Sequence, residues 1–177
     1  MNTEPILIDI NKIFNYNNIN SAWELVKTKK SGGGIDRISV NDFNENYKNR
    51  LQELLLELTS SAYVPEPYER ILIRKQNKSE FRPIGMLSVK DKIVQTVITD
   101  FYSNSFEKIF LDSSYAYRKL KGHSKAVRRV KDYLARKMNF ILAVDIDNFF
   151  DTIDRDLLFE KCKKYFNNPY IESLIKM

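Results

Sequence analysis

Apolar residues recur at three- and four-residue spacing in several stretches, and each such stretch predicts a helix with one buried face. The clearest comprises Phe43, Tyr47, Leu51, Leu54, Leu55 and Leu58, a single long helix ending near Ser60 because Pro65 and Pro67 disfavour continuation. Ahead of it, Ser21-Ala-Trp-Glu24 has the form of a capping box, in which Ser and Glu satisfy orphan amides reciprocally. That helix should run to about Lys29 and stop at Gly32-Gly33-Gly34, with a short helix fitting residues 3–14. The period then changes to two. Residues 68–75 are β-branched and aromatic, residues 81–86 match them, and the polar stretch 76–80 lies between, which predicts a β-hairpin. Pro83 implies an edge position or an irregularity. Ser88-Val-Lys-Asp91 opens the next helix, with Val94, Val97, Ile98 and Phe101 inward, and another fits 123–137. The apolar run 140–146 reads as a central buried strand, and one or two helices cover roughly 155–176. With no repeat and no linker, the pattern is that of one continuous α+β structure.

Composition narrows the class. A chain of 177 residues has room for one domain, or for part of a larger one. A hydrophobic fraction of 43% is enough for a real core and excludes wholesale disorder. The single cysteine, Cys162, cannot form an internal disulfide, which fits a reducing cytosol. No apolar run reaches the roughly 18 residues of a membrane span, and the opening MNTEPILIDI is acidic where a signal peptide is basic. A soluble, cytoplasmic protein with no membrane partner is expected.

The formal net charge of +6 hides a sharper distribution. Residues 69–137 carry 17 Lys/Arg against 7 Asp/Glu, whereas the flanks 1–68 (7 against 9) and 138–177 (5 against 7) are mildly acidic. Such a block suits a polyanion, because each cation on a phosphate releases condensed counterions. It equally suits a solvated basic face without a ligand, and charge alone does not choose.

Three segments could carry chemistry. In FILAVDIDNFFDTIDRDLL, residues 140–158, a buried strand ends in carboxylates, a costly arrangement unless something pairs with them. Strand alternation puts Asp145 and Asp147 on one face, and oxygen-only ligands suit Mg²⁺ or Mn²⁺. One Cys and one His give a zinc site little support. Asp154 is better read as the cap of the following helix. In the hairpin, Lys75 and Arg82 stand one on each arm, an ammonium and a guanidinium that could meet one triphosphate, with Arg74 and Lys78 adding field. A merely exposed basic hairpin is the competing reading. In Ser114-Tyr-Ala-Tyr-Arg-Lys-Leu-Lys-Gly-His-Ser-Lys125, aromatics interleave with cations, which suits either nucleic acid or a buried aromatic pair beside solvated lysines.

In order, these segments resemble the N-terminal half of a bacterial reverse transcriptase of the group II intron-like lineage. The resemblance rests on Gly33-Gly-Ile-Asp36-Arg, Ile73-Arg-Lys75, Phe81-Arg82-Pro-Ile-Gly85, Asp91-Lys-Ile-Val-Gln95, Ser114-Tyr-Ala-Tyr-Arg118 and Asp145-Ile-Asp-Asn-Phe-Phe150-Asp-Thr-Ile-Asp154. It implies the fingers and upper palm of a right-hand polymerase, with helices around a fingers hairpin and a partial palm sheet. Residues 1–30 would be an N-terminal helical extension, 31–138 the fingers and 139–177 a partial palm. The implied activity is RNA-directed DNA synthesis with two Mg²⁺ ions, acting on an RNA template, a primer and deoxynucleoside triphosphates. Asp145 would be the first catalytic carboxylate, with Asp145 and Ile146 at the metal site. Lys75, Arg82, Asn148 and Phe149 would contact the incoming nucleotide, and Phe150 would be the gate against a ribose 2′-OH. Gln95, Arg118, Lys119 and Lys121 would line the template path.

Two departures matter. Tyr115-Ala-Tyr-Arg-Lys-Leu-Lys-Gly-His-Ser replaces the usual Gly-Phe-Arg-Pro-Gly-Arg-Ser, and looks closer to the diversity-generating and phage-defence branches. No adjacent Asp-Asp occurs in the sequence, so the family's aromatic-x-Asp-Asp ligands are missing and the chain alone is expected to be inactive. A palm cut before that motif would leave the apolar strand near Ala143 and Val144 uncovered, and a homodimer through this surface is one expected consequence. A non-catalytic RNA-binding module, or a subunit completing a polymerase in trans, are the competing functions.

Overall fold

Asp9 and Asn15, rather than Ser21, set the starts of the N-terminal helices. In the computed structural model, which describes residues 8–29, 33–74, 79 and 81–177 (the side chain of Asp151 aside), Asp9 caps α1 (Ile10–Ile13). The Asn15 side chain accepts from the Asn18 amide at 3.0 Å and opens α2 (Tyr16–Thr28). Ser21 therefore sits inside the second turn of α2, well past a cap that is already made. The capping box is found instead at Ser39 and Asp42, where the Asp42 amide donates to Ser39 Oγ at 3.2 Å and the Ser39 amide donates to Asp42 Oδ2 at 2.8 Å. These bonds hold the Asp42 carboxyl below its usual range. The helix expected across 43–58 is interrupted at Asn46, giving α3 (Val40–Glu45) and α4 (Tyr47–Thr59), and it ends at Ser60 as expected.

The chain divides into two compact units, residues 1–102 with 162–177 and residues 103–161. In the first, Trp23 of α2 is fully buried, with the Phe43 ring at 4.8 Å and the Tyr47 ring stacked at 6.1 Å. Ile19 and Val26 extend that stripe along α2, and Leu51, Leu54 and Leu58 meet it from α4 at helical spacing. The hairpin follows as β1 (Glu69–Arg74) and β2 (Phe81–Met86), antiparallel, with Ile71 opposite Ile84 and Ile73 opposite Arg82. Leu72 faces Pro83, which an edge strand tolerates. Then α5 (Val89–Glu107) buries Val89, Ile93, Val94 and Val97. The last sixteen residues return to this unit through α9 (Pro169–Lys176), capped by Asn168. The Asn168 side-chain amide donates to the Ile8 carbonyl at 2.9 Å, and the Tyr102 hydroxyl donates to the Phe166 carbonyl at 2.7 Å. Burial pushes the Tyr102 phenol up to about 12.

The second unit holds α6 (His123–Ala135), α7 (Phe149–Thr152) and most of α8 (Arg155–Lys163). Here the expectation of a buried central strand fails. Residues 140–146 adopt no regular structure, and Phe140, Leu142 and Val144 are each at least 80% exposed. The cause is pairing. A strand satisfies its backbone groups only through a neighbour, and among the described residues the sheet has two strands, β1 and β2. The shared face of Asp145 and Asp147 rested on that strand and lapses with it.

Candidate nucleotide and template sites

The residues singled out in the sequence fall into three groups. Lys75 and Lys78 lie outside the described residues. Arg82 is exposed on β2 opposite Ile73, and Arg74, opposite Phe81, lies on the other face of the hairpin. Gly85 is explained by packing: a Cβ there would meet the Tyr68 ring at 3.0 Å.

The hairpin is positioned by a buried carboxylate. Asp91, in the first turn of α5 and 3% exposed, accepts from the Tyr63 hydroxyl, from Ser88 Oγ at 2.7 Å and from the Glu66 amide at 3.4 Å. The Asp91 amide donates back to Ser88 Oγ at 3.1 Å. Burial and the Asp91 hydrogen bond push the Tyr63 phenol far up, so it remains a donor. The segment entering β1 and the residue leaving β2 are thereby tied to one helix start. Gly34 approaches the same point, since a Cβ there would stand 2.5 Å from the Ser88 amide nitrogen. The Gly-Ile-Asp segment thus meets the backbone of Leu87 and Ser88, just ahead of Asp-Lys-Ile-Val-Gln, through a contact that only glycine permits.

Gln95, one turn along α5, is exposed. It lines a cavity of about 400 Å³ with Leu25 and Val26 of α2, the following Lys29, and Lys92 and Thr96. Lys92 was not legible as a site residue from the sequence. It is half-buried, and burial lowers its pKa against the opposing fields of Asp36 and Asp91.

In the second unit, Arg118 is a loop staple. Its guanidinium donates to Glu107 from Nε and Nη2, at 3.0 and 2.5 Å, and to the carbonyls of Leu111 and Ser114, both at 2.8 Å. The side chain is only 5% exposed, so its donors face inward. Lys121 turns back likewise, to Asp112 Oδ1 at 3.0 Å, while Lys119 is exposed. Tyr117, at positive φ, is 99% exposed and Tyr115 is half-buried, which removes the buried aromatic pair as a reading of this segment.

The staple gives a pH prediction. Arg118 hydrogen bonds hold the Glu107 carboxyl below its ordinary 4.5. A depressed carboxylate contributes stability above its unfolded pKa and loses it as pH falls through the folded value. The loop should therefore stay pinned at neutral pH and release only below that ordinary value. The Arg118 Nε–H resonance should shift across this acid window in the wild type and not in Glu107→Gln. An unmoved wild-type resonance would remove the staple.

Asp145, Asn148, Phe149 and Phe150 lie together in one short segment of the second unit, all exposed. Asn148 adopts a left-handed conformation (φ 49°) at the start of α7, and its carbonyl accepts from the Thr152 amide at 3.0 Å. The Phe149 and Phe150 rings meet edge to face at 5.5 Å. Asp154 caps α8 through the Leu157 amide at 2.9 Å, as expected. The oxygen donors of Asp145 and Asp147 suit Mg²⁺ in kind. Among the described residues, however, no group of three or more His, Cys, Asp or Glu side chains could hold a metal ion. No helix among them is long and apolar enough to cross a membrane.

The described residues thus hold an exposed hairpin bearing Arg74, Arg82 and Pro83 in the first unit and, in the second, an exposed segment with Asp145, Asp147, Phe149 and Phe150. Residues 73–177 match the family model described as "Reverse transcriptase (RNA-dependent DNA polymerase)", and the chain belongs to that family. Its relatives place it with the group II intron-like lineage. It is 26% identical over 121 residues to the group II intron-encoded protein LtrA of Lactococcus lactis subsp. cremoris, covering 68% of this chain and 20% of LtrA. It is 27% identical over 146 residues to protein YkfC of Escherichia coli, covering 80% and 38%. The putative COX1/OXI3 intron 1 protein of Saccharomyces cerevisiae is 26% identical over 159 residues, covering 88% and 18%. The chain thus spans between about a fifth and two fifths of the length of these proteins.

Proposed function

We propose that this chain supplies the fingers and the first catalytic carboxylate of an RNA-directed DNA polymerase. The observation that supports this best is the span of the family match, which begins on the hairpin at Ile73 and takes in Asp145. On this reading residues 1–30 are a helical extension, 31–138 the fingers and 139–177 a partial palm. Lys75 and Arg82 hold the triphosphate of a deoxynucleotide, Asn148 and Phe149 contact it, and Phe150 excludes a 2′-OH. Gln95, Lys119 and Lys121 line the path of an RNA template, with Arg118 acting on that path by fixing the loop. Mg²⁺ would lower the barrier to nucleotidyl transfer by activating the primer hydroxyl and stabilising the leaving pyrophosphate. Asp145 and Ile146 offer part of such a site. The sequence contains no adjacent Asp-Asp to complete it, so the polymerising species has further carboxylates from elsewhere.

The run of exposed apolar residues at 140–146 favours one elaboration, in which further palm structure, or a second copy of the chain, covers that surface. Primer extension on an RNA template with Mg²⁺ tests both. The 177-residue chain should give no product. Product that disappears in Asp145→Ala would mean that a second copy or another carboxylate completes the site. Product that survives in Asp145→Ala would overturn the role of Asp145.

A further inference from the structure

The second unit carries a groove of about 610 Å³ along α6, lined by Tyr115 and Lys121 of the preceding loop and by Lys125, Arg128, Arg129 and Tyr133 of the helix. Its volume lies within the usual range of ligand sites, roughly 300–1,000 Å³, but its chemistry is unlike a small-molecule pocket. Two acids also line it, and one of them, Asp112, is already paired with Lys121 at 3.0 Å. Of the rest, Lys125, Arg128 and Arg129 face a single acid, Asp132, so the balance is positive. Arg128 is exposed and, among the described residues, makes no hydrogen bond or ion pair. Lys125 spends one donor on the Leu120 carbonyl at 2.6 Å and keeps two others.

Each aromatic wall is backed by a cation. Lys121 Nζ stands 5.6 Å from the Tyr115 ring centroid, and the Arg129 guanidinium stands 5.0 Å from that of Tyr133 while its Nε donates to the Tyr133 hydroxyl at 3.1 Å. A tyrosine held this way has little rotamer freedom left to lose when a base stacks on it. The charge also extends beyond the groove, through Lys131 on α6 and Arg136 and Lys137 just past its end. A thirteen-residue helix is about 20 Å long at 1.5 Å per residue. A mononucleotide would use one end of such an array, whereas a strand uses its length.

We infer that this groove is a further nucleic-acid surface, reaching beyond the template residue Lys121, which takes single-stranded RNA with bases against Tyr115 and Tyr133 and phosphates on Lys125, Arg128 and Arg129. Neither arginine, nor Tyr133, lies in the segments that carry the family resemblance or among the template residues named above. The inference rests on the nucleic-acid substrate of the proposed function but needs neither catalysis nor metal.

The test is fluorescence anisotropy of a labelled oligouridylate on the full chain across a salt series. Each phosphate contact on a single strand contributes about 0.7 to the slope of log K against log salt. Arg128→Ala/Arg129→Ala should therefore flatten that slope by about 1.4. Tyr133→Leu should weaken binding at least about fivefold without changing the slope, because it removes a stacking surface and no charge. Tyr133→Phe, which keeps the ring, should bind as the wild type does, and circular dichroism confirms that each variant is folded. A wild-type slope in the arginine pair, or wild-type affinity in folded Tyr133→Leu, overturns the site alone. A wild-type chain that binds no RNA even at low salt overturns the site and the proposed function together.

Discussion

Asp91→Ala should destabilise the first unit by about 3 kcal/mol, because a buried carboxylate with charged hydrogen bonds is removed and its donors are left dry. Asp91 is 3% exposed and takes bonds from the Tyr63 hydroxyl, Ser88 Oγ and the Glu66 amide. Alanine leaves the Tyr63 hydroxyl, raised far above its usual pKa by burial and by Asp91, with nothing to donate to. Asp91→Asn retains an acceptor and should cost less, about 1–2 kcal/mol. Urea unfolding followed by tryptophan fluorescence reads this directly, since Trp23 is buried in the same unit. A lower midpoint at unchanged slope is a stability loss. A loss below about 1 kcal/mol for alanine would mean that the network is not a structural keystone. On this account the aspartate of Asp-Lys-Ile-Val-Gln serves the fold. It fixes where β1 begins and where β2 ends, and so where the basic hairpin stands.

That role was not legible in the sequence, where Asp91 is one acid at a helix start among several. Local patterns were legible where the chain itself supplies both halves of an interaction. The hairpin was, because two period-two runs flank a polar stretch and pair with each other. The Asp154 cap was, because its acceptor and the Leu157 amide are three residues apart. The capping box expected at Ser21-Ala-Trp-Glu24 does not form because Asn15 already starts α2, and the box found at Ser39 and Asp42 has Asp where the usual pattern has Glu or Gln. Residues 140–146 were misjudged because a short apolar run specifies extended chain but cannot supply its own partner. The cations of 114–125 divide into inward and outward sets by tertiary bonds. Arg118 and Lys121 turn to Glu107 and Asp112, which composition counts only as nearby charge. The groove on α6 depended on Tyr115 and Tyr133 meeting across eighteen residues, a juxtaposition that no window of sequence displays.

RNA binding by the chain should fall steeply with salt, roughly fifty- to three-hundredfold between 50 and 200 mM, for four to six phosphates neutralised on a single strand. The basis is the segment 69–137, with 17 Lys/Arg against 7 Asp/Glu between mildly acidic flanks. Some of these cations are internally paired, including Arg118 with Glu107, Lys121 with Asp112 and Lys90 with Glu57 at 2.7 Å, which lowers the number available to a strand. That subtraction is why the expected slope is moderate and not the one that 17 free cations would give. Single-stranded DNA of equal length should show the same slope, since counterion release reports phosphates and carries no information about the 2′-OH. A flat response would mean that the basic block is a solvated face. Binding would then have to come from base stacking alone, and the hairpin and α6 would lose their assigned partner together.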